Sequence, residues 1–203
     1  MRELTATRKS AAATEVISIT IVLGILLLLT FVIPLATQNV SNSWYKNNNQ
    51  YLIGPVVNTM LIYSGVRFKK VYNMMAVIML PSLSAISLYL LGVNAIFLLY
   101  MVAFIWLGNA AISLSFRLSF RKANTAGSVR YGVTAVIGIL AKAALIFGGF
   151  LVLKDFNVFP TPVAEKLSVM MGVTQLITAA IGAVIAFIVI KALRTSPRSL
   201  NIK

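Results

Sequence analysis

The sequence has no cysteine, no histidine and only four acidic residues among 203. Each absence excludes some chemistry. Without Cys there are no disulfides, iron–sulfur clusters or thiolate metal sites, although the redox compartment stays open. Without His the chain lacks the commonest general base, metal ligand and proton relay. The acids Glu3, Glu15, Asp155 and Glu165 are scattered. They offer no paired carboxylates for acid–base catalysis and no donor set for a metal. No GxxxxGK[ST] motif is present, so the chain is not expected to hydrolyse ATP itself. No metal site and no cofactor are expected. Charged residues make up 11%, against about 25% in soluble domains. That is too little polar surface for a water-soluble globular domain of this size.

What is there is apolar and basic. Hydrophobic residues reach 59%, against roughly 45–50% ordinarily. A helix crosses the bilayer core with about 20 apolar residues, and six candidates follow one another. They run at about 16–36, 51–66, 72–92, 94–116, 131–153 and 167–190. The second is short and carries Gly54-Pro55, and the third contains Pro81. No run separates two soluble domains, so residues 1–203 read as a single membrane domain.

Lys and Arg test this count, because cytoplasmic loops of membrane proteins are enriched in them. With the N-terminus inside, Arg2, Arg8 and Lys9 lie in the N-terminal tail. Arg67, Lys69 and Lys70 follow span two, and Arg117, Arg121, Lys122 and Arg130 follow span four. Lys191, Arg194, Arg198 and Lys203 form the C-terminal tail. Lys46, Lys154 and Lys166 fall outside, and Lys142 falls within span five. Fourteen of the eighteen cations therefore lie on one side, with both termini cytoplasmic. The net charge of +14 is a topology signal on this reading, with lipid headgroups as a secondary partner. No nucleic-acid motif accompanies it. Arg8-Lys9 before an apolar run resembles a signal peptide. The run is too long for a typical one and Leu35-Ala36-Thr37 is a poor cleavage site, so the segment is expected to be retained.

Polar residues inside spans are costly and need partners or a purpose. Lys142 sits near the middle of span five, on a helical face with Ala135, Gly138, Leu145 and Gly149. No intramembrane acid neutralises it. Asn58, Asn109 and Gln175 each lie on a stripe of small residues in spans two, four and six. Two readings stand beside each other. These groups are interhelical hydrogen-bonding glue, or they line one polar cavity with Lys142 as small-molecule sites do. Ser82, Ser84 and Ser87 follow Pro81 and are expected to re-satisfy the carbonyls it frees. The loop around residues 37–50 is a candidate lid. A Ser paired with Lys142 would be the nucleophile of a metal-independent membrane enzyme, but nothing singles out such a Ser.

Five elements share an order and spacing with a known family. They are Gly54-Pro55-Val56-Val57-Asn58, Leu80-Pro81-Ser82-Leu83-Ser84, Leu107-Gly108-Asn109-Ala110, Ala141-Lys142-Ala143 and Gln175-Leu176-Ile177-Thr178-Ala179. Over most of residues 51–192 the chain resembles the membrane-embedded S components of energy-coupling factor transporters. The resemblance implies a six-helix substrate-binding subunit in a prokaryotic cytoplasmic membrane. It would dock on a transmembrane T component driven by two cytoplasmic ATPases. The metal-binding branch uses an N-terminal His, absent here, so a vitamin-like organic substrate is implied. The family's AxxxA docking motif in span one is replaced by Thr20 and Gly24. Carried over by position, Asn58, Asn109, Lys142 and Gln175 become ligand contacts, with Lys142 facing a carboxylate or phosphate. The expectation is an all-α integral membrane protein, a six-transmembrane-helix bundle that captures a small, anionic substrate. A non-catalytic membrane scaffold without a ligand is the alternative.

Overall fold

The computed structural model describes residues 2–36, 43–90, 96–120 and 127–193. These residues are almost wholly helical and contain no strand. Four stretches are long and apolar enough to cross a membrane: Ala13–Val32, Ile96–Phe120, Ser128–Asp155 and Thr161–Ala192. Their burial shows what surrounds them. Only 33% of the apolar window of the third is buried, and Val133, Val136, Ile137 and Leu140 point outward. Aliphatic rows of that length are stable only against lipid, so the chain is a multi-pass membrane protein.

The first rod is α1 (Arg2–Leu27), continued through a wide turn (Leu28–Val32) into α2 (Ile33–Ala36). The wide turn has a local cause. Pro34 cannot donate to the carbonyl four residues back, and the N–H of Ile33 reaches the oxygen of Leu28, five residues back. Thr30, buried in that turn, donates to the Leu26 carbonyl at 2.7 Å.

The second rod, α3 (Ser43–Arg67), is longer than the sequence suggests. Residues 43–50, read from the sequence as part of a lid loop, continue its helix, and residues 37–42 lie outside the described residues. It holds polar Asn58, Thr59 and Ser64, all buried. It is the central rod, packed against α1 and three helices introduced below. A helix surrounded by protein can carry polar groups that a lipid-facing helix cannot, which is why its hydropathy is weak.

The third rod breaks at Pro81, as expected. It comprises α4 (Val71–Met79), a tight turn (Leu80–Ser82) and α5 (Leu83–Leu90). Ser82 Oγ donates to the Met79 carbonyl at 2.6 Å and Ser84 Oγ to the Pro81 carbonyl at 2.8 Å. The two serines bond carbonyls within the break rather than that of Val77, which Pro81 deprives of its N–H, while the side chain of Ser87 lies outside the described residues. The remaining rods are α6 (Ile96–Phe120), α7 (Ser128–Asp155), and α8 (Thr161–Met171) with α9 (Val173–Ala192). The last pair corrects the expectation of one unbroken helix over 167–190. The chain breaks at Gly172, where an added Cβ would lie 2.8 Å from the Ser168 carbonyl.

Close approach between rods is set by small residues. A Cβ on Gly54 would meet Thr178 of α9 at 2.8 Å, and one on Gly182 would meet Asn58 at 2.6 Å. Gly65 seats the Ser113 carbonyl of α6, and Gly149 of α7 seats Phe104. Two apolar clusters fill the bundle. One joins α1, α3, α4 and α9 to the C-terminal part of α6 and the start of α7. The other joins the start of α6, the end of α7 and α8 through Met101, Phe150, Phe159 and Leu167.

Candidate functional site

Lys142 lies in the middle of α7, and its side chain is 3% exposed. Its flanking face is Ala135, Gly138, Ile146 and Gly149, all buried. Leu145, expected on this face, instead points outward. Position 146, one turn on from Lys142, takes the inner place because the helix repeats every 3.6 residues.

The Lys142 ammonium donates to Asn58 Oδ1 of α3 at 2.6 Å. With Oδ1 engaged, the Asn58 amide nitrogen serves as donor. It reaches the Gly54 carbonyl at 2.9 Å and Thr178 Oγ1 of α9 at 3.5 Å. Thr178 passes the same sense onward, donating to the Thr174 carbonyl at 2.8 Å. One level away, Thr174 Oγ1 meets the Tyr51 hydroxyl at 3.3 Å. Thr59 Oγ1 donates to Pro55 at 2.8 Å and across to the Gly182 carbonyl at 3.1 Å. These contacts make a polar hub where α3, α7 and α9 cross. Gly54 and Gly182 are required there because any larger residue would separate α3 from α9.

The hub is unusual electrostatically. An ammonium has three N–H donors and no acceptor, and the described partner of Lys142 is a neutral amide. Glu15 is engaged at the turn between α3 and α4, Asp155 ends α7, and Glu165 lies in α8. Among the described residues no group of three or more His, Cys, Asp or Glu can hold a metal.

Asn109 and Gln175 do not join this hub. Asn109, 2% exposed on α6, donates from Nδ2 to the Ile78 carbonyl at 3.2 Å, at the Pro81 break of the third rod. Gln175 folds back across the Gly172 break and donates from Nε2 to the Met170 carbonyl at 3.3 Å. Both serve backbone carbonyls at helix interruptions, where intrahelical partners run out. Of the four residues singled out from the sequence, Asn58 and Lys142 meet each other.

Three participants were not singled out in advance. Thr178 is hidden by its own helix pattern, since Ser and Thr bonding to the carbonyl four residues back is commonplace. Arg117, read as a topology signal, is buried and clasps the α3–α4 turn, donating to the Phe68 and Lys69 carbonyls at 2.6 Å each. Glu15 of α1 holds the same turn from the other side, accepting from the Lys69 N–H at 3.0 Å and from Asn73 at 3.4 Å. Trp106 of α6 is a further signal, because its buried indole N–H has no hydrogen-bond partner. Comparison of the chain with protein-family models, with curated proteins and with solved structures finds no match.

Proposed function

We propose that this chain is the membrane-embedded substrate-capture subunit of a multi-component importer, taking a vitamin-like organic molecule that bears an anionic group. The observation that carries the reading is Lys142: a cation in the middle of a membrane helix, held by a neutral amide rather than a carboxylate. An intramembrane ionisable residue points to a ligand or ion pathway by default. A carboxylate or phosphate on the substrate would supply the missing counter-charge. Asn58 presents the ammonium, and Thr178 orients Asn58. On this reading Asn109 and Gln175 act at one remove, keeping the interrupted helices beside the hub in register.

The wider assignment follows the resemblance to energy-coupling factor S components. The chain crosses a prokaryotic cytoplasmic membrane six times with both termini inside. It relies on a transmembrane T component and two cytoplasmic ATPases for energy, which fits a sequence without a P-loop. It is not an enzyme.

A non-catalytic scaffold is the second reading. It is favoured by the closed course of the network, in which Asn58 and Thr178 both end on backbone carbonyls. Purification from the native host in mild detergent, with mass spectrometry of proteins and small molecules, separates the two. The importer reading expects two ATPases, a second membrane subunit and an acid-bearing compound that Lys142→Met loses. A solitary, empty protein would leave the scaffold.

A further inference from the structure

Several cations of this protein are gathered by contact at one end of the bundle. Glu15 and Arg117 both bind the α3–α4 turn that carries Lys69 and Lys70. Phe116, one residue from Arg117, lies 5.0 Å from the Tyr131 ring, and Tyr131 lies 5.0 Å from Phe187. Lys191 Nζ in turn sits 5.0 Å from the Phe187 ring. Lys69, Lys70, Arg130 and Lys191 therefore share this end, and all four are exposed. The acid placed there, Glu15, is turned onto the backbone of Lys69 and the Asn73 amide.

Three of these cations each head a row of exposed apolar side chains running toward the middle of the bundle. On α4 the row below Lys70 is Val71, Met75 and Met79. On α7 the row below Arg130 is Val133, Ile137 and Leu140. On α9 the row below Lys191 is Ile188, Val184 and Ile181. At helical spacing each row is a continuous stripe. The opposite end differs in charge, since Lys154 is followed by Asp155 and Lys166 is preceded by Glu165.

We propose that this end holds a belt of anionic phospholipids. Their phosphodiester groups lie on Lys70, Arg130 and Lys191, and their acyl chains lie along the three apolar rows. A phospholipid matches both halves of the pattern, the cation and the aliphatic stripe beneath it. An acidic protein surface or a free phosphate matches only the first. Each basic residue near an anionic leaflet contributes an attraction that salt screens.

The test uses the full chain in detergent micelles. It is equilibrated with equal amounts of dioleoylphosphatidylglycerol and dioleoylphosphatidylcholine, and retained lipid is counted by native mass spectrometry. Phosphatidylglycerol is expected to be retained preferentially. The triple substitution Lys70→Gln, Arg130→Gln and Lys191→Gln is expected to lower that preference roughly tenfold or more. Lys154→Gln with Lys166→Gln should leave it unchanged and controls for folding. Equal retention of the two lipids by the wild type overturns the proposal. So does an unchanged preference in the triple variant, or an equal loss in the control. Displacement of phosphatidylglycerol by an equimolar amount of inorganic phosphate also overturns it, because the apolar rows would then contribute nothing.

Discussion

Lys142 and Asn58 illustrate how two residues of unlike type become one unit. Removing Asn58 alone strands a buried cation, and removing Lys142 alone leaves an amide oxygen without its donor. Breaking a buried charged hydrogen bond from one side costs more than the bond is worth. Asn58→Leu is therefore expected to destabilise the fold by about 2–4 kcal/mol, and Lys142→Met by less. The double variant should recover part of the Asn58→Leu loss. Unfolding titrations of the four proteins in mixed micelles measure this coupling, and strict additivity would show that the two residues do not act together. Arg117 belongs at the same scale. Its guanidinium satisfies two carbonyls of the α3–α4 turn, so Arg117→Leu should cost about 2–3 kcal/mol, as charged hydrogen bonds do. Arg117→Lys should rescue only partly, because one ammonium cannot reproduce the planar fork.

At the scale of elements, the bundle contains interrupted helices, and side chains donate to backbone carbonyls at the interruptions. Pro81 is served by Ser82, Ser84 and Asn109, and Gly172 is bridged by Gln175. A buried carbonyl left without a donor is expensive in lipid. Asn109→Leu should therefore lower stability by about 1–3 kcal/mol, and a Pro81→Ala background should shrink that loss by letting the regular helix resume, so that the Ser82 N–H reaches the Ile78 carbonyl. If the loss is the same in both backgrounds, Asn109 is not serving the break. The α3–α9 contact is the other element-level feature. A Cβ at Gly182 would fall 2.6 Å from Asn58 Cβ and 2.8 Å from the Pro55 carbonyl. Gly182→Ala is expected to push the helices apart at a cost of about 1–3 kcal/mol. It should also lengthen the Lys142–Asn58 bond, so on the substrate-capture proposal ligand retention would fall with stability.

For the molecule as a whole, the main consequence is sidedness. The chain contains no cysteine, so single reporters can be introduced without removing anything. Lys70→Cys and Lys154→Cys sit at opposite ends of the bundle and are both exposed in the native protein as lysines. In intact cells a membrane-impermeant maleimide is expected to label Lys154→Cys at once. It should label Lys70→Cys only after permeabilisation, since basic residues stay on the cytoplasmic side. The reverse pattern would invert the orientation, and labelling of both from outside would rule out the crossing scheme.

Much of this was legible in the sequence. Composition and long apolar runs determined an all-helical membrane protein, because backbone polar groups in lipid must be satisfied within helices or closed barrels. The break at Pro81 was legible because proline's missing N–H acts locally. The enclosure of Lys142 by protein was legible because a cation deep in an apolar run has few tolerable surroundings. Only the tertiary structure decided which polar residues meet. Asn58, Asn109 and Gln175 look alike along the chain, each a long polar group on a small-residue stripe. One pairs with Lys142 and two serve carbonyls, and the difference lies in the rotation and height of each helix against its neighbours. The same holds for Arg117, which sequence counting placed among topology charges and packing turned inward. The helical continuation of α3 through residues 43–50 and the break at Gly172 were also decided by packing. A run of asparagines and a lone glycine are weak local signals that tertiary contacts readily override.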